Sequence, residues 1–227
     1  MTDITPFKFF NNIFEDKTER YPVLLTKNLV PGRQVYGEAL YRENDVEYRE
    51  WVPERSKLGA ALRKDVNQIG IKADDYVLYL GCSTGTTVSH VSDIVGANGL
   101  VYALDFAPRV LRDMVLVAEA RGNIAPILAD ANNPATYEKL ISEVDVVFMD
   151  IAQKNQPEIF LKNCAMFLKK GGYGLLALKA RSMDVLKHPR LVFKEVRELL
   201  EKEMIVVDYR ELEPYEKDHA FYVVKKK

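Results

Sequence analysis

Tyr76-Val77-Leu78-Tyr79-Leu80-Gly81-Cys82-Ser83-Thr84-Gly85-Thr86-Thr87 is the stretch that decides the fold. An apolar run of strand length passes directly into small residues, and an amphipathic segment over 86–95 follows. Small residues at the carboxyl end of a strand let a ligand approach the backbone. The loop is neither G-x-G-x-x-G nor a phosphate loop carrying G-K-[ST]. Taken alone it signals a tight strand-to-helix turn.

Downstream, the same alternation repeats. Strands are expected at 76–80, 100–104, 124–128, 144–149 and 173–178, with helices at 86–95, 109–120, 134–141 and 156–168. A helix near 189–202 leads to strands near 205–209 and 220–224, which read as a closing antiparallel pair. Strand–helix repetition predicts a mostly parallel sheet covered on both faces. Upstream of residue 55 the chain reads as β, in runs at Tyr21–Thr26, Val35–Tyr41 and Val46–Val52 punctuated by Pro31-Gly32 and Glu43-Asn44-Asp45. Ser56 is expected to cap a helix reaching about Asn67, with Leu58, Ala61 and Leu62 on one face. The expected organisation is a small N-terminal antiparallel β domain over 1–54 and an α/β domain over 55–227.

Composition narrows the function. The 227 residues are 48% hydrophobic, enough for a sizeable core. Lys plus Arg number 32 and Asp plus Glu 33, giving net charge −1, without the basic excess of a free-standing nucleic-acid binder. The exception is 162–194, where eight bases face one acid, net +7. Phosphates beside a crevice would account for that, and a solvated helix face for part of it. Cys82 and Cys164 alone exclude a disulfide framework or a zinc ribbon. No run of 18 apolar residues is present, and the first residues lack signal-peptide features, so the expected location is cytoplasmic, with no membrane partner.

Three successive strands end in an acid: Asp105, Asp130 and Asp150. Asp105 lies 20 residues past Gly85, where α/β nucleotide-binding folds place an acceptor for ribose hydroxyls. A capping role before Pro108 is the plain alternative. Together the three acids would line one crevice, with ribose at Asp105, adenine at Asp130 and the reacting end at Asp150. That order suits S-adenosylmethionine better than a dinucleotide, and the fold is then a Rossmann-like SAM-dependent methyltransferase fold. Asp150-Ile151-Ala152-Gln153 lacks the motif of base-amino methylation. Cys82 and Cys164 read as packing residues rather than nucleophiles. His90, His188 and His219 show no metal-ligand spacing, so no metal is expected. An alcohol oxygen remains as acceptor. Lys179, just after an apolar strand, is a candidate base or alkoxide stabiliser, with Lys57 as a neighbouring cation.

Several stretches carry a resemblance: Thr26-Lys27-Asn28-Leu29-Val30-Pro31-Gly32, Arg55-Ser56-Lys57-Leu58, Gly85-Thr86-Thr87-Val88-Ser89-His90-Val91, Lys169-Lys170-Gly171-Gly172-Tyr173-Gly174 and Glu213-Pro214-Tyr215-Glu216-Lys217-Asp218-His219. With them the chain resembles the fibrillarin family in its archaeal form over almost its whole length. The resemblance implies SAM-dependent 2′-O-ribose methylation of rRNA and tRNA within a box C/D guide-RNA ribonucleoprotein. It implies as partners the guide RNA, a coiled-coil Nop-type scaffold protein and a kink-turn-binding protein of ribosomal type. It places cofactor contacts on Thr86, Thr87, Asp105, Phe106, Asp130, Ala131, Asp150 and Gln153, and a catalytic set on Lys57, Asp150, Lys179 and His219. In that set Asp150 would orient Lys179, while Lys57 and His219 would bias the field and hold the ribose. Asp105 stands where the family commonly has Glu, and Gln153-Lys154-Asn155-Gln156 departs from a usual Gln-Pro pattern. The rival readings are an assembly subunit that kept the fold without transfer, and an NAD(P) reductase. The reductase would need a helical Tyr-x-x-x-Lys, which the chain has only at Tyr222–Lys226 in its last strand.

Overall fold

Val77, Leu78, Tyr79 and Leu80 are all buried, as strand β6 (Tyr76–Leu80) lies inside a seven-stranded sheet. The computed structural model describes residues 2–18 and 20–227. β6 pairs in parallel with β9 (Val144–Met149) on one side and β7 (Leu100–Asp105) on the other, and β7 continues to β8 (Ile124–Leu128). Beyond β9 lies β10 (Leu168–Lys179), also parallel. β12 (His219–Lys226) then inserts antiparallel between β10 and β11 (Met204–Glu211). All the parallel strands therefore present their carboxyl ends along one rim. Helices α2 (Thr86–Val95), α3 (Pro108–Arg121), α4 (Gln156–Phe167) and α6 (Pro189–Glu203) connect the strands, and a one-turn helix α5 (Ala180–Met183) follows β10. Apolar clusters fill both faces of the sheet, as the repetition requires.

The N-terminal segment forms a second, antiparallel sheet in the order β1-β2-β3-β5-β4: Ile4–Pro6, Ile13–Asp16, Val23–Lys27, Val46–Glu50 and Leu40–Glu43. β1 and β2 had no signal in the sequence reading. The run expected as a strand at Val35–Tyr41 instead turns. The Glu38 carboxylate accepts from the backbone N–H groups of Val35 and Tyr36 at 3.0 and 2.8 Å, Gly37 takes φ of 82°, and pairing begins only at Leu40. Helix α1 (Lys57–Arg63) is capped by Ser56 as expected, its Oγ accepting from Gly59 N at 3.2 Å, but it stops short of Asn67. Asp65 takes φ of 60° and Asn67 N donates to Asp208 Oδ2 at 2.7 Å, turning the chain toward β11. The helix expected at 134–141 is two 3-10 turns. Tyr137 between them is buried with its hydroxyl on Asn163 Oδ1.

A buried charge cluster joins the two sheets. Arg49, fully buried on β5, places Nε on Glu38 Oε1 at 2.7 Å, Nη1 on Asp93 Oδ2 at 2.8 Å and Nη2 on Ser89 Oγ at 2.9 Å. Arg121 closes on Asp93 from α3. Beside the cluster, Trp51 stacks on His90 at 4.7 Å between ring centroids. Burial, then the two guanidinium groups, pushes the His90 imidazole well below its usual range and keeps it neutral. The final lysines also serve the fold. Lys226 Nζ donates to carbonyls at the end of α4 and Lys227 Nζ to carbonyls at the end of α6, which satisfies groups helix ends leave open.

Candidate active site

The carboxyl ends of β6, β7 and β9 and the turn after β8 frame a crevice with about 540 Å³ of space, part of it open to solvent. Asp105, Phe106, Asp130, Ala131, Asp150 and Gln153 line it, together with the backbone of Gly81 and Ser83. The sequence reading named these six side chains, and the fold brings them to one place. Gly81 has φ of 84°, and a Cβ there would sit 2.4 Å from the Asp150 carbonyl oxygen, so only glycine lets β6 and β9 close beneath the crevice. Ser83 follows at φ of 50° and donates its N–H to Asp105 Oδ2 at 3.0 Å.

Asp105 therefore does two things at once. Its second oxygen, Oδ1, accepts from Ala107 N at 3.0 Å, the turn-forming role weighed against ribose binding, and the carboxylate still borders the crevice with lone pairs to spare. Phe106 is 67% exposed at the lip, an aromatic face left for a planar ligand. Asp130 is exposed, and hydrogen bonds from the backbone and side chain of Asn132 hold its carboxyl below the usual range. Asn132 also donates to Gln153 Oε1 at 3.0 Å and accepts from Asn155, tying the two loops together despite the departure at 153–156. Gln156, buried and not singled out in the sequence, bridges further: Nε2 donates to the carbonyls of Gln153 and Lys179, and Oε1 accepts from Lys179 N. Thr86 and Thr87 start α2 but are not among the lining residues. Thr87 is buried and donates to Ser56 Oγ at 3.0 Å.

Asp150 belongs to both the crevice and a charged cluster behind it. Lys57 Nζ lies 3.3 Å from Asp150 Oδ2 and 3.8 Å from Glu216 Oε1, and Glu216 Oε2 lies 3.7 Å from His219 Nδ1. Burial raises the Asp150 carboxyl above its ordinary range, Lys57 and His219 pull it back, and Glu216 pushes it up. Burial would lower Lys57, but Asp150 and Glu216 together hold it above its usual value. Asp150 thus orients Lys57 and not Lys179, contrary to the sequence expectation. Lys179 is exposed at the end of β10, opposite His219 in the β10–β12 register, and its side chain has no ion pair among the described residues. The exposure of Lys179 follows from its place, because β10 ends there and its last side chain emerges from the sheet. Glu216 was missed. Its only signal was its place in the quoted Glu213–His219 stretch.

Both thiols are buried, and burial pushes Cys82 up to about 12 and Cys164 higher still, so neither offers a thiolate. Among the described residues no cluster of His, Cys, Asp or Glu could hold a metal, and no helix is long and apolar enough to cross a membrane. The basic stretch 162–194 is not one patch. Lys169 pairs with Asp145 at the opposite rim, and Arg181, Lys187, Arg190 and Lys194 pair with Asp218, Glu195, Glu211 and Glu198. That leaves Lys179 as the base of this stretch at the mouth without a carboxylate.

Residues 4–227 match the family described as Fibrillarin. A fibrillarin-like rRNA/tRNA 2′-O-methyltransferase of Pyrococcus horikoshii is 48% identical over 229 residues, covering all of both chains. The solved structure of Aeropyrum pernix fibrillarin with natively bound S-adenosyl-L-methionine superposes with a TM-score of 0.91 at 41% identity, covering 99% of each chain. A chain of a fibrillarin/Nop5p complex superposes with a TM-score of 0.84 at 38% identity, covering 90% of this chain and 94% of that one.

Proposed function

This chain belongs to the fibrillarin family, and from that premise we propose how its crevice works. It is an S-adenosylmethionine-dependent RNA 2′-O-methyltransferase that modifies rRNA and tRNA as part of a box C/D ribonucleoprotein, where a Nop-type protein is its scaffold. The observation that supports the assignment of roles is the shared position of Asp150, which borders the crevice on one side and pairs with Lys57 on the other.

In this reading Asp105 takes the ribose hydroxyls of the cofactor, Phe106 covers its base, Asp130 and Ala131 border the base edge, and Gln153 closes the far wall. Thr86 and Thr87 hold the start of α2 beneath it. The crevice fits such a group: it has an apolar floor, the exposed carboxylate of Asp130, the half-buried carboxylates of Asp105 and Asp150, and the exposed ring of Phe106. When bound, S-adenosylmethionine supplies a methyl group on a sulfonium sulfur. Asp150 contributes negative charge near that centre, Lys57 keeps Asp150 ionised, Lys179 stabilises the oxygen as it gains charge, and His219 lies beside it. Most of the acceleration comes from holding the acceptor oxygen in line, so no covalent enzyme intermediate is needed.

The guide RNA and a kink-turn-binding protein complete the particle. With net charge −1 and five of the eight bases of 162–194 held in ion pairs, the lone chain lacks the net positive charge that binds phosphates strongly. Target selection is therefore delegated, and the scaffold raises the effective concentration of substrate. The test compares labelled methyl transfer by the chain alone with transfer by the particle assembled on guide RNA with both partner proteins. Site-specific 2′-O-methylation by the particle and little by the chain alone is expected. Efficient site-specific methylation by the lone chain at physiological salt overturns the delegation, and no transfer by the particle overturns the activity.

A further inference from the structure

His219 carries a hydrogen-bond pattern that the roles above leave unused. Its Nδ1 lies 2.7 Å from the Lys217 carbonyl oxygen, an acceptor only, so Nδ1 must carry a proton. Glu216 Oε2 stands 3.7 Å from the same nitrogen, a second negative group that favours the proton there. Nε2 has no hydrogen-bond partner among the described residues, and the ring borders a cavity shared with Arg181, His188, Arg190 and Asp218. The other oxygen of Glu216 reaches toward Lys57.

We propose that Glu216 is a positioning residue of the active site: one oxygen, with the Lys217 carbonyl, fixes His219 as the Nδ1–H tautomer with Nε2 free as a base, and the other steadies Lys57 on Asp150. The proposal rests on the methyltransferase reading above and adds the route of the proton. The 2′-hydroxyl hydrogen passes to His219 Nε2, the imidazolium so formed is held by Glu216, and the proton leaves to water after transfer. Lys179 then keeps its other role, stabilising the charged oxygen. A carboxylate that orients an imidazole and balances its positive form is a recurrent way of making histidine an effective base.

The groups facing Asp150 are Lys57 from α1, Glu216 from the loop before β12, His219 from β12 itself and Tyr79 from β6. Replacing Glu216 with Gln keeps the side-chain volume and removes one negative charge from this set. That substitution relieves a repulsion that raises Asp150, so the acid limb of the rate profile moves to lower pH. The experiment follows Glu216→Gln and Glu216→Asp in the assembled particle. Single-turnover rates are read against pH, cofactor affinity by calorimetry, and ring 15N shifts by NMR, where His219 is one of three histidines. A loss of about 10–100-fold in rate is expected for Gln, the scale of a small misplacement at a reacting centre, with partial recovery in Asp. Unchanged cofactor affinity, a displaced acid limb and altered His219 ring 15N shifts should accompany it, since the carboxylate beside Nδ1 is lost while the Lys217 carbonyl stays. A rate within twofold at every pH, or a His219 spectrum identical to wild type, overturns the proposal. A wild-type particle that transfers no methyl group fails the underlying reading instead, and the NMR outcome still decides the tautomer.

Discussion

Replacing Lys57 with Met should damage the enzyme in a way that depends on pH. Lys57 opens helix α1, where a cation faces the positive end of the helix and loses about 0.3–1 kcal/mol. It is held there by Asp150 at 3.3 Å and Glu216 at 3.8 Å. The side chains of Lys57 and Asp150 retain 26% and 24% exposure, between a solvated pair and a sealed one. Exposed pairs contribute about 0–1 kcal/mol and broken buried pairs cost about 3–5, so we expect about 1–3 kcal/mol for this position. For a chain of this size that is a fall of about 2–12 °C in melting temperature. The loss comes from leaving Asp150 and Glu216 facing each other without their cation. Asp150 already titrates above the ordinary aspartate value in the folded state, and losing Lys57 raises it further. Its ionised form therefore opposes folding above that raised pKa, and the penalty disappears as pH falls through it. The destabilisation should be full near neutrality and shrink in acid. Chemical denaturation at several pH values measures the stability, and single-turnover methyl transfer measures the rate, whose acid limb should move to higher pH, opposite to Glu216→Gln. Equal destabilisation at all pH values, or an unmoved acid limb, would refute the claim that Lys57 sets the charge state of Asp150.

Asp105→Ala should weaken cofactor binding about 10–150-fold by calorimetry, the range for losing hydrogen bonds of about 1.5–3 kcal/mol to a charged acceptor, and unchanged affinity would reduce Asp105 to the turn at Ala107. Lys179→Ala should leave that affinity intact and slow transfer in the particle by about 10²–10⁴, as for a lost alkoxide stabiliser; near-normal turnover removes it from the mechanism. Arg49→Met strips the cation from buried Glu38 and one of the two cations from buried Asp93, and should cost about 3–5 kcal/mol, seen as a melting temperature lower by about 6–20 °C.

What the sequence revealed follows from the range of each signal. The parallel strands were legible because runs such as Val144–Met149, buried on both faces, read as near-continuous apolar stretches. Asp105, Asp130 and Asp150 were legible because an acid ending an apolar strand is local information, and the Ser56 cap is equally local. β1 and β2 were invisible, being three and four residues long. Val35–Tyr41 misled because its Val and Tyr read as a strand, while the turn is imposed by the Glu38 carboxylate. The partner of Asp150 was misassigned for a related reason. Lys179 and Lys57 both read as cations near the rim, and only the path of α1 decides which one reaches the carboxylate. Glu216 and Gln156 act through contacts that no local pattern announces.

The position of Lys57 links the N-terminal β segment to the crevice. Lys57 follows Ser56, and the Ser56 hydroxyl both caps α1 and accepts from Thr87 on the helix that leaves the cofactor loop. Two turns further along that helix, Asp93 takes Arg49 from the N-terminal sheet, and His90 takes the Trp51 ring and the Tyr36 hydroxyl. One helix thus carries the cofactor loop at its start and the N-terminal sheet along its flank, and α1 is pinned between them. A rotation of the sheet would shift Ser56, and with it the ammonium of Lys57 that must stay within reach of Asp150. An apolar interface of similar area could hold the two sheets together. The Glu38–Arg49–Asp93–Arg121 cluster adds directionality, because each guanidinium hydrogen bond restricts how the sheet can turn on α2. Packing alone would allow the interface to slip, whereas buried ion pairs penalise misalignment by stranding charge. The N-terminal sheet therefore fixes the placement of one lysine beside Asp150, although none of its strands supplies a residue to the crevice.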